Sequence, residues 1–220
     1  MKAVVSLGGS VIVPDKVNME FLLEFKKIVL DYTKRGNGVI IICGGGKLAR
    51  SLQETTSKLK GIKDMHLDWA GIYATRVNAH ILKKIFNVKK GIITNPNKKI
   101  TSEEKVLIAA GWKPGFSTDY DSVLLAKNIG ADEIINITNV DYVYDKDPKL
   151  KDAKPIKETT WRELRKIVGD KWRPGLNMPF DPIAAKEAEK LGLKVIVIGK
   201  DLGNLKKVLN GEDFKGTLID

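Results

Sequence analysis

The sequence predicts an α/β fold, a three-layer α/β/α sandwich around a central, mostly parallel sheet. Short β-branched runs alternate with longer helical segments, and most of the short runs are almost continuously apolar. Strands that helices cover on both faces are apolar along their length, and repeated β–α alternation is typical of a parallel sheet. Because the chain has 220 residues and no long linker, we expect one domain over residues 1–220.

Five strands and six helices account for the alternation. The predicted strands are 3–7, 39–43, 105–110, 133–138 and 194–198, and the predicted helices are 18–34, 47–58, 64–86, 118–128, 160–168 and 181–191. Three polar residues suit helix N-caps, and Pro182 suits a first helical position: the caps are Asn18, Thr160 and Asp181. Glycines follow three helical runs, where a left-handed residue can end a helix: Gly36, Gly130 and Gly192.

Composition indicates an ordinary globular protein, with 43% hydrophobic and 30% charged residues. The net charge of +11 suggests nucleic-acid binding, but basic residues are spread along the chain and none lies in a block with interleaved aromatics. We attribute the positive charge to lysines on solvent-exposed helix faces, and we therefore expect no nucleic-acid partner. No apolar stretch approaches the about 20 residues of a membrane helix, so we expect no membrane association and a cytoplasmic location.

Few residues suggest metal or thiol chemistry. Cys43 ends an apolar run, which predicts a buried and inert thiol. His66 and His80 lack a partner motif, so we expect each at the surface or in an interface rather than in catalysis. Because no His/Cys cluster is present, no metal-ligating residues are predicted.

Two glycine-rich turns follow the first two predicted strands. Residues 8–10 are Gly-Gly-Ser, and residues 44–50 are Gly-Gly-Gly-Lys-Leu-Ala-Arg at the start of a helix. Glycine lets the backbone approach an anion, and the free N–H groups of a helix start point towards it. Lys47 and Arg50 add cationic donors. Each turn alone fits a tight strand-to-helix connection, whereas both together favour two phosphate-facing loops in one cleft.

Neither turn matches the common nucleotide-binding fingerprints. The sequence contains no G-x-x-x-x-G-K-[ST] and no G-x-G-x-x-G motif, which argues against a Walker P-loop and a dinucleotide-binding fold. A hydride-transfer enzyme is therefore disfavoured.

The turn at 111–119 follows the third strand. Thr118 offers a capping hydroxyl to a helix whose first turn holds Asp119 and Asp121, and backbone donors here can hold a sugar or phosphate. The alternative is a plain Pro-Gly turn with aspartates that the helix dipole favours.

The turn at 138–148 follows the fourth strand and is acidic. Here Tyr144 can pack against an adenine, and Asp147 can accept hydrogen bonds from ribose hydroxyls. A plain acidic β-turn is the alternative.

These turns, in this order, resemble the archaeal-type UMP kinase branch of the amino-acid-kinase family. The matching segments span nearly the whole chain: 8–10, 44–50, 68–72, 74–79, 114–119, 138–148, 181–186 and 195–199. The resemblance implies the amino-acid-kinase fold and transfer of the ATP γ-phosphoryl group to UMP, giving UDP and ADP in pyrimidine nucleotide biosynthesis. It also implies Mg²⁺ and a homo-oligomer, usually a hexamer.

The resemblance assigns roles to individual residues. Contacts to ATP phosphates are expected from Gly9, Ser10, Gly46 and Arg50, and contacts to its nucleoside from Thr138, Asn139, Tyr144 and Asp147. UMP is expected to contact Gly45, Asp68, Trp112, Lys113, Pro114, Gly115, Phe116, Ser117 and Thr118, with Asp68 near the ribose. Since the acceptor is already an anion, charge neutralisation matters more than a general base, and Lys47 and Arg50 are the predicted catalytic residues.

Three departures from the family pattern affect these expectations. Ser6 stands where many relatives have a lysine, so the charge is expected from Lys47, with Lys171 or Arg173 as alternatives. Tyr142 stands where glycine is usual and would be strained in a left-handed conformation. Residues 171–180 match poorly, and a flap over the ATP site is our hypothesis for them.

Other functions remain open from the sequence. Ser6 and Tyr142 motivate a non-catalytic nucleotide-binding or regulatory protein of the same fold. A kinase for another small phosphorylated acceptor is a second alternative, although the histidine typical of isopentenyl phosphate kinases is absent from residues 47–58. Nucleic-acid binding is the third, and it predicts a steeply salt-dependent affinity.

Overall fold

The computed structural model describes residues 3–169 and 178–220 and contains the predicted alternation of strands and helices. The strands are β1 (Ala3–Leu7), β2 (Val39–Cys43), β3 (Val106–Ala109), β4 (Glu133–Ile137), β5 (Val143–Tyr144), β6 (Pro155–Ile156), β7 (Glu158–Thr159), β8 (Lys194–Ile198) and β9 (Thr217–Ile219). The helices are α1 (Gly9–Ile12), α2 (Met19–Lys34), α3 (Gly46–Ser57), α4 (Asp64–Phe86), α5 (Thr118–Ile129), α6 (Trp161–Val168), α7 (Pro182–Leu191) and α8 (Leu202–Asn210). The predictions for Lys171, Arg173 and residues 171–177 lie outside the described residues.

The central sheet has seven strands in the order β3-β2-β1-β4-β8-β9-β7. Every neighbouring pair is parallel except β8 and β9, which confirms the mostly parallel sheet. β1 lies between β2 and β4, with Leu7 in register with both Cys43 and Ile137. The turns that follow these three strands therefore emerge side by side at the carboxyl edge of the sheet, where ligands bind in open α/β sheets.

Helices cover both faces of the sheet, and each face packs against them through its own apolar cluster. In β1, Val5 and Leu7 contact the cluster formed with α2, α4 and α8, whereas Val4 contacts the cluster formed with α5, α6 and α7. Cys43 belongs to the first cluster and is fully buried, as predicted, and burial raises the pKa of its thiol. The alternation explains the continuously apolar strand sequences, since both faces are covered.

Most predicted helix ends are confirmed. Side-chain oxygens cap three helices by accepting backbone N–H bonds: Asn18 from Phe21 (3.4 Å), Thr160 from Glu163 (3.2 Å) and Asp181 from Ala184 (2.7 Å). Gly130 and Gly192 are the left-handed residues that end α5 and α7. Gly36 is also left-handed, and it follows Arg35, the C-cap of α2. No helix among the described residues is both long and apolar enough to cross a membrane.

The predicted capping role of Thr118 was wrong. Ser117 is the N-cap of α5, and its Oγ accepts a hydrogen bond from the Tyr120 N–H at 3.1 Å. Ser117 has the extended backbone that an N-cap requires, while Thr118 is already the first helical residue.

Candidate active site

The two glycine loops are in direct contact at the carboxyl edge of β1 and β2. A Cβ added to Gly9 would lie 2.3 Å from the Gly46 nitrogen, and one added to Gly44 would lie 2.9 Å from the Gly9 nitrogen. Gly46 also has a φ of 62°, in the left-handed region that favours glycine. The structure thus brings the two predicted phosphate-facing loops into contact. The second loop lines the cleft through Gly45 and Gly46, whereas Gly9 and Ser10 are not among the described residues that line it.

A hydrogen bond links the two loops through their side chains. Arg50 Nη2, on α3, donates to Ser10 Oγ at 3.1 Å, beside the interlocked glycines. Arg50 also lines the cleft, so its side chain lies beside the two glycine loops, and its contact with phosphate stays a prediction.

The ammonium group of Lys47 pairs with the carboxylate of Asp15 and does not line the cleft. Its Nζ forms an ion pair with Asp15 at 2.7 Å, and both side chains are exposed. Lys47 is not among the described residues that line the cleft. Ser6, where relatives often carry a lysine, is buried within β1 and contributes no charge. Of the two predicted catalytic residues, only Arg50 therefore faces the cleft.

The second glycine loop is also fixed from behind by α4. Asn78 is completely buried, and its Nδ2 donates to the Gly44 carbonyl at 2.8 Å. Sequence reasoning did not assign this residue to the site. A signal was present, since an asparagine among apolar helix positions must satisfy its amide inside the core.

The loop after β3 meets α4 at Asp68. Asp68 Oδ2 accepts a hydrogen bond from the Gly115 N–H at 2.7 Å, and partial burial raises the pKa of this carboxyl. Further along the loop, Phe116 stacks between Trp112 (5.3 Å between ring centroids) and Tyr120 (4.8 Å). Asp68 and the loop are thus brought together, as the resemblance implied.

One cleft collects most of the predicted phosphate and acceptor residues. It is lined by the predicted residues Gly45, Gly46, Arg50, Asp68, Phe116, Ser117 and Thr118. Trp112, Lys113, Pro114 and Gly115 lie in the same loop but do not line the cleft, and the Lys113 ammonium instead lies 4.1 Å from the Trp112 ring centroid. Contact of these four residues with UMP therefore stays a prediction.

Six residues of the cleft lining were not predicted. They are Ala49, Gln53, Gly71, Ile72, Thr75 and Gly111. Asp68, Ile72 and Thr75 are spaced i, i+4 and i+7 along α4, which places them on one face of the helix. Helical periodicity starting from Asp68 would therefore have found two of the missing residues.

Three aspartates lie behind the acceptor loop. Asp121 Oδ2 accepts a hydrogen bond from the Trp112 N–H, and Asp119 Oδ2 accepts one from the Asp181 N–H, both at 3.0 Å. Burial is the main reason that the pKa values of Asp119 and Asp121 are raised to about 7, and neighbouring carboxylates raise them further. Asp121 is thus more than a helix-starting residue, because it holds the loop backbone.

The turn after β4 lies beside the first glycine loop, since the Gly8 N–H donates to the Ile137 carbonyl at 2.9 Å. Within the turn, Thr138 Oγ1 bonds both backbone groups of Val140. Asp147 Oδ1 accepts from the Lys149 N–H at 3.0 Å, as in the acidic β-turn alternative. None of Thr138, Asn139, Tyr144 and Asp147 is among the described residues lining the cleft, so their contact with a nucleoside stays a prediction.

The structure also shows the backbone of Tyr142 and the surroundings of the two histidines. Among the described residues, Asn87 alone of the non-glycines has a positive φ, so Tyr142 is not in the strained conformation considered for it. His66 Nδ1 accepts a hydrogen bond from the Lys63 N–H at 3.0 Å at the start of α4, and His80 is exposed.

Comparison with known proteins places this chain in a family. The sequence profile of the amino acid kinase family matches residues 1–199. The chain is 38% identical over 222 residues to a uridylate kinase of Thermoplasma volcanium, covering 99% of this chain and 96% of that protein. It is 35% identical to a uridylate kinase of Pyrococcus abyssi, and both chains are covered completely.

Solved structures agree with the sequence comparison. The crystal structure of uridylate kinase from Archaeoglobus fulgidus superposes with a TM-score of 0.85 at 34% identity, over the full length of both chains. A UMP kinase structure from Bacillus anthracis has a TM-score of 0.77 at 21% identity, covering all of this chain and 95% of that one, and it shows the shared fold alone. The chain therefore belongs to the amino acid kinase family.

Proposed function

We propose that this protein is a UMP kinase that transfers the γ-phosphoryl group of ATP to UMP, giving UDP and ADP for pyrimidine nucleotide synthesis. The observation that carries the proposal is the single cleft in which Gly46 and Arg50 face Asp68 and the loop residues Phe116 and Thr118. The first pair suits the transferred phosphoryl group, and the others suit a nucleoside monophosphate. Full-length similarity to archaeal uridylate kinases supports the choice of acceptor.

The chemistry follows from placing two polyanions end to end. Transfer to an acceptor phosphate needs in-line alignment and charge neutralisation, and no base has to remove a proton. The N–H groups of the interlocked loops at Gly9 and Gly46 are donors for phosphate oxygens. Arg50, held on Ser10, adds a forked cation where negative charge accumulates during transfer.

Mg²⁺ is proposed to enter bound to the ATP phosphates. Within residues 3–169 and 178–220, no group of three or more His, Cys, Asp or Glu side chains is arranged to hold a metal ion. Mg²⁺ keeps several waters and takes many of its ligands from substrate phosphates, so it does not require such a group on the protein. When bound, the ion would neutralise phosphate charge, while Arg50 and the loop amides orient the phosphoryl group.

We also propose a cytoplasmic homo-oligomer, with six subunits as in the usual assembly of the family. A row of apolar side chains on one side of α4 supports association, since Met65, Tyr73 and Val77 are 52%, 57% and 50% exposed. Such patches often mark interfaces. Size-exclusion chromatography with light scattering tests the subunit number, and a monomer at micromolar concentration would contradict this part of the proposal.

A coupled assay tests the activity. Purified protein with ATP, Mg²⁺ and UMP is expected to release ADP and form UDP in equal amounts, with no ADP above background when UMP is omitted. Titration calorimetry with ATP and UMP separates the alternatives, because tight nucleotide binding without turnover would indicate a non-catalytic binding protein. Replacing UMP by CMP, dUMP and isopentenyl phosphate tests acceptor choice, and faster turnover of another acceptor would reassign the substrate.

A further inference from the structure

The backbone of the acceptor loop is held by side chains rather than by a strand or helix. The Gly111 N–H donates to Thr75 Oγ1 at 2.9 Å, and the Gly115 N–H donates to Asp68 Oδ2 at 2.7 Å. Both acceptors are on α4, which forms the opposite wall of the cleft. The position of this loop therefore depends on how α4 presents its polar side chains.

A third contact from α4 comes from a residue outside the cleft lining. Arg76 Nη2 donates to the Trp112 carbonyl at 3.2 Å, while Asp121 accepts from the N–H of the same residue. Arg76 is not among the described residues that line the cleft. Its guanidinium thus contacts the backbone of Trp112 from outside the cleft lining.

Two aromatic rings hold the Arg76 guanidinium in place. Its central carbon lies 5.6 Å from the Trp69 ring centroid and 5.8 Å from that of Tyr73, and the two rings stack on each other at 5.8 Å. Contacts of this kind attract a cation to the ring face and restrict its orientation. The platform leaves the Arg76 side chain little freedom other than to point at the loop.

A buried nitrogen of the Arg76 side chain, unpaired among the described residues, argues against a merely structural role. The Nε of Arg76 is buried without a hydrogen-bond partner in the described chain, and an unpaired buried donor costs free energy. The side chain nevertheless occupies this site, where the Trp112 carbonyl is the hydrogen-bond acceptor it reaches. A lysine, with one compact ammonium group, cannot reproduce the planar stacking and the directed hydrogen bond together.

We propose that Arg76 is a positioning residue for the acceptor site, which sets the loop at 111–118 through the Trp112 carbonyl. This inference rests on the proposed function, because it concerns the affinity for UMP. Without the guanidinium, the loop keeps its contacts at Gly111 and Gly115 but loses the one between them. Phe116 and Thr118 are then less well placed against the acceptor, whereas the glycine loops are unchanged.

The test is a comparison of Michaelis constants for Arg76→Met and Arg35→Met. Arg35 is a matched control, since its guanidinium lies 5.4 Å from the Tyr32 ring centroid and Nη1 donates to Asn210 Oδ1 at 2.9 Å, outside the cleft. Loss of a hydrogen bond from a charged donor corresponds to roughly a tenfold change or more. We therefore expect Arg76→Met to raise KM for UMP about tenfold and to leave KM for ATP within about twofold.

Further variants keep the inference falsifiable if Arg76→Met does not fold. Arg76→Lys is expected to recover part of the UMP affinity. Trp69 is half-buried and is not one of the exposed residues proposed for the subunit interface, and Trp69→Leu is expected to raise KM for UMP about threefold by loosening the platform. Equal effects on both Michaelis constants, or values matching Arg35→Met, would overturn the inference. Wild-type protein that does not phosphorylate UMP would overturn the proposed function as well, so the two failures are distinguishable.

Discussion

Gly9 and Gly46 approach each other so closely that neither has room for a side chain. A Cβ on Gly9 would lie 2.3 Å from the Gly46 nitrogen, and a Cβ on Gly46 would lie 2.3 Å from the Gly9 carbonyl carbon. Atoms at such distances overlap, so any larger residue must separate the two loops. The distance between the loops is therefore set by the absence of side chains at both positions.

Gly9→Ala is expected to abolish most of the activity. Because the methyl group would collide with backbone that cannot rotate away, the loops must separate and the N–H groups lose their alignment. We expect kcat with ATP and UMP to fall about 100-fold or more. Gly91→Ala is the control, since a Cβ there meets no atom within 4 Å. Retained activity in Gly9→Ala would mean that the loops do not bind the phosphates.

Arg50→Ala is expected to lower turnover far more than thermal stability. Its guanidinium is exposed and donates to Ser10, so the fold loses little, whereas transfer loses a cation at the phosphates. We expect kcat to fall about 100-fold. Lys47→Ala is the comparison, and a smaller loss is expected because Asp15 already neutralises Lys47. A larger loss in Lys47→Ala would restore the sequence prediction for that residue.

Asp68→Asn is expected to weaken UMP more than ATP. The carboxylate accepts the Gly115 N–H, and its charge strengthens that bond to the acceptor loop. KM for UMP should rise about fivefold to tenfold, with KM for ATP unchanged. Asp64→Asn, at the exposed start of the same helix, should leave both constants unchanged. Equal effects of Asp68→Asn on both substrates would place it outside the acceptor site.

Stability is expected to fall as pH rises from 5 to 8. The pKa values of Asp119 and Asp121 are raised to about 7, mainly by burial, and that of the adjoining Asp181 is also raised. Between the ordinary pKa of an aspartate in the unfolded chain and the raised pKa in the folded protein, the folded protein binds more protons than the unfolded chain. The free energy of unfolding therefore falls as the pH rises through this range and the protons are lost. The free energy of unfolding, measured in urea, should be lower at pH 8 than at pH 5 by up to about 3 kcal/mol for each of the two carboxyls that ionises fully.

Asp121→Asn tests the assignment of that pH dependence. The amide can still accept from the Trp112 N–H but cannot ionise, so the difference between pH 5 and pH 8 should shrink. Asp220→Asn, at the exposed end of the chain, should leave the difference unchanged. An identical pH dependence in Asp121→Asn and wild type would show that Asp121 does not titrate in this range.

Regular elements with strong periodicity could be predicted from the sequence. The bounds of β1, β2 and α4 agree with the prediction, because continuous apolar runs and helical spacing define them. The short elements α1, β7, β9 and the β5–β6 hairpin were missed. Each of these strands and helices has four residues or fewer, and tertiary neighbours hold its backbone, as when β9 pairs with β8, so no local period marks it. The nine-residue helix α8 was also missed, although its N-cap Asp201 accepts hydrogen bonds from the Gly203 and Asn204 N–H groups.

The candidate site could be predicted in part. The positions after each strand were informative, because parallel strands bring their carboxyl ends to one edge. What the sequence could not reveal was direction: Lys47 lies beside the glycine loop but pairs with Asp15, and Lys113 lies in the acceptor loop but covers Trp112. These outcomes depend on contacts between residues far apart in the chain, which a linear pattern does not contain.

Because Cys43 is buried, thiol-reactive labels are not expected to modify the native protein. Cys43 is the only cysteine of the chain, and it is fully enclosed in the core at the end of β2. Because thiol reagents act on exposed thiolates, the native protein offers them no target. A cysteine introduced at the exposed Lys113 would thus carry the single reactive thiol, and a dye or spin label there would report the motion of the acceptor loop during turnover.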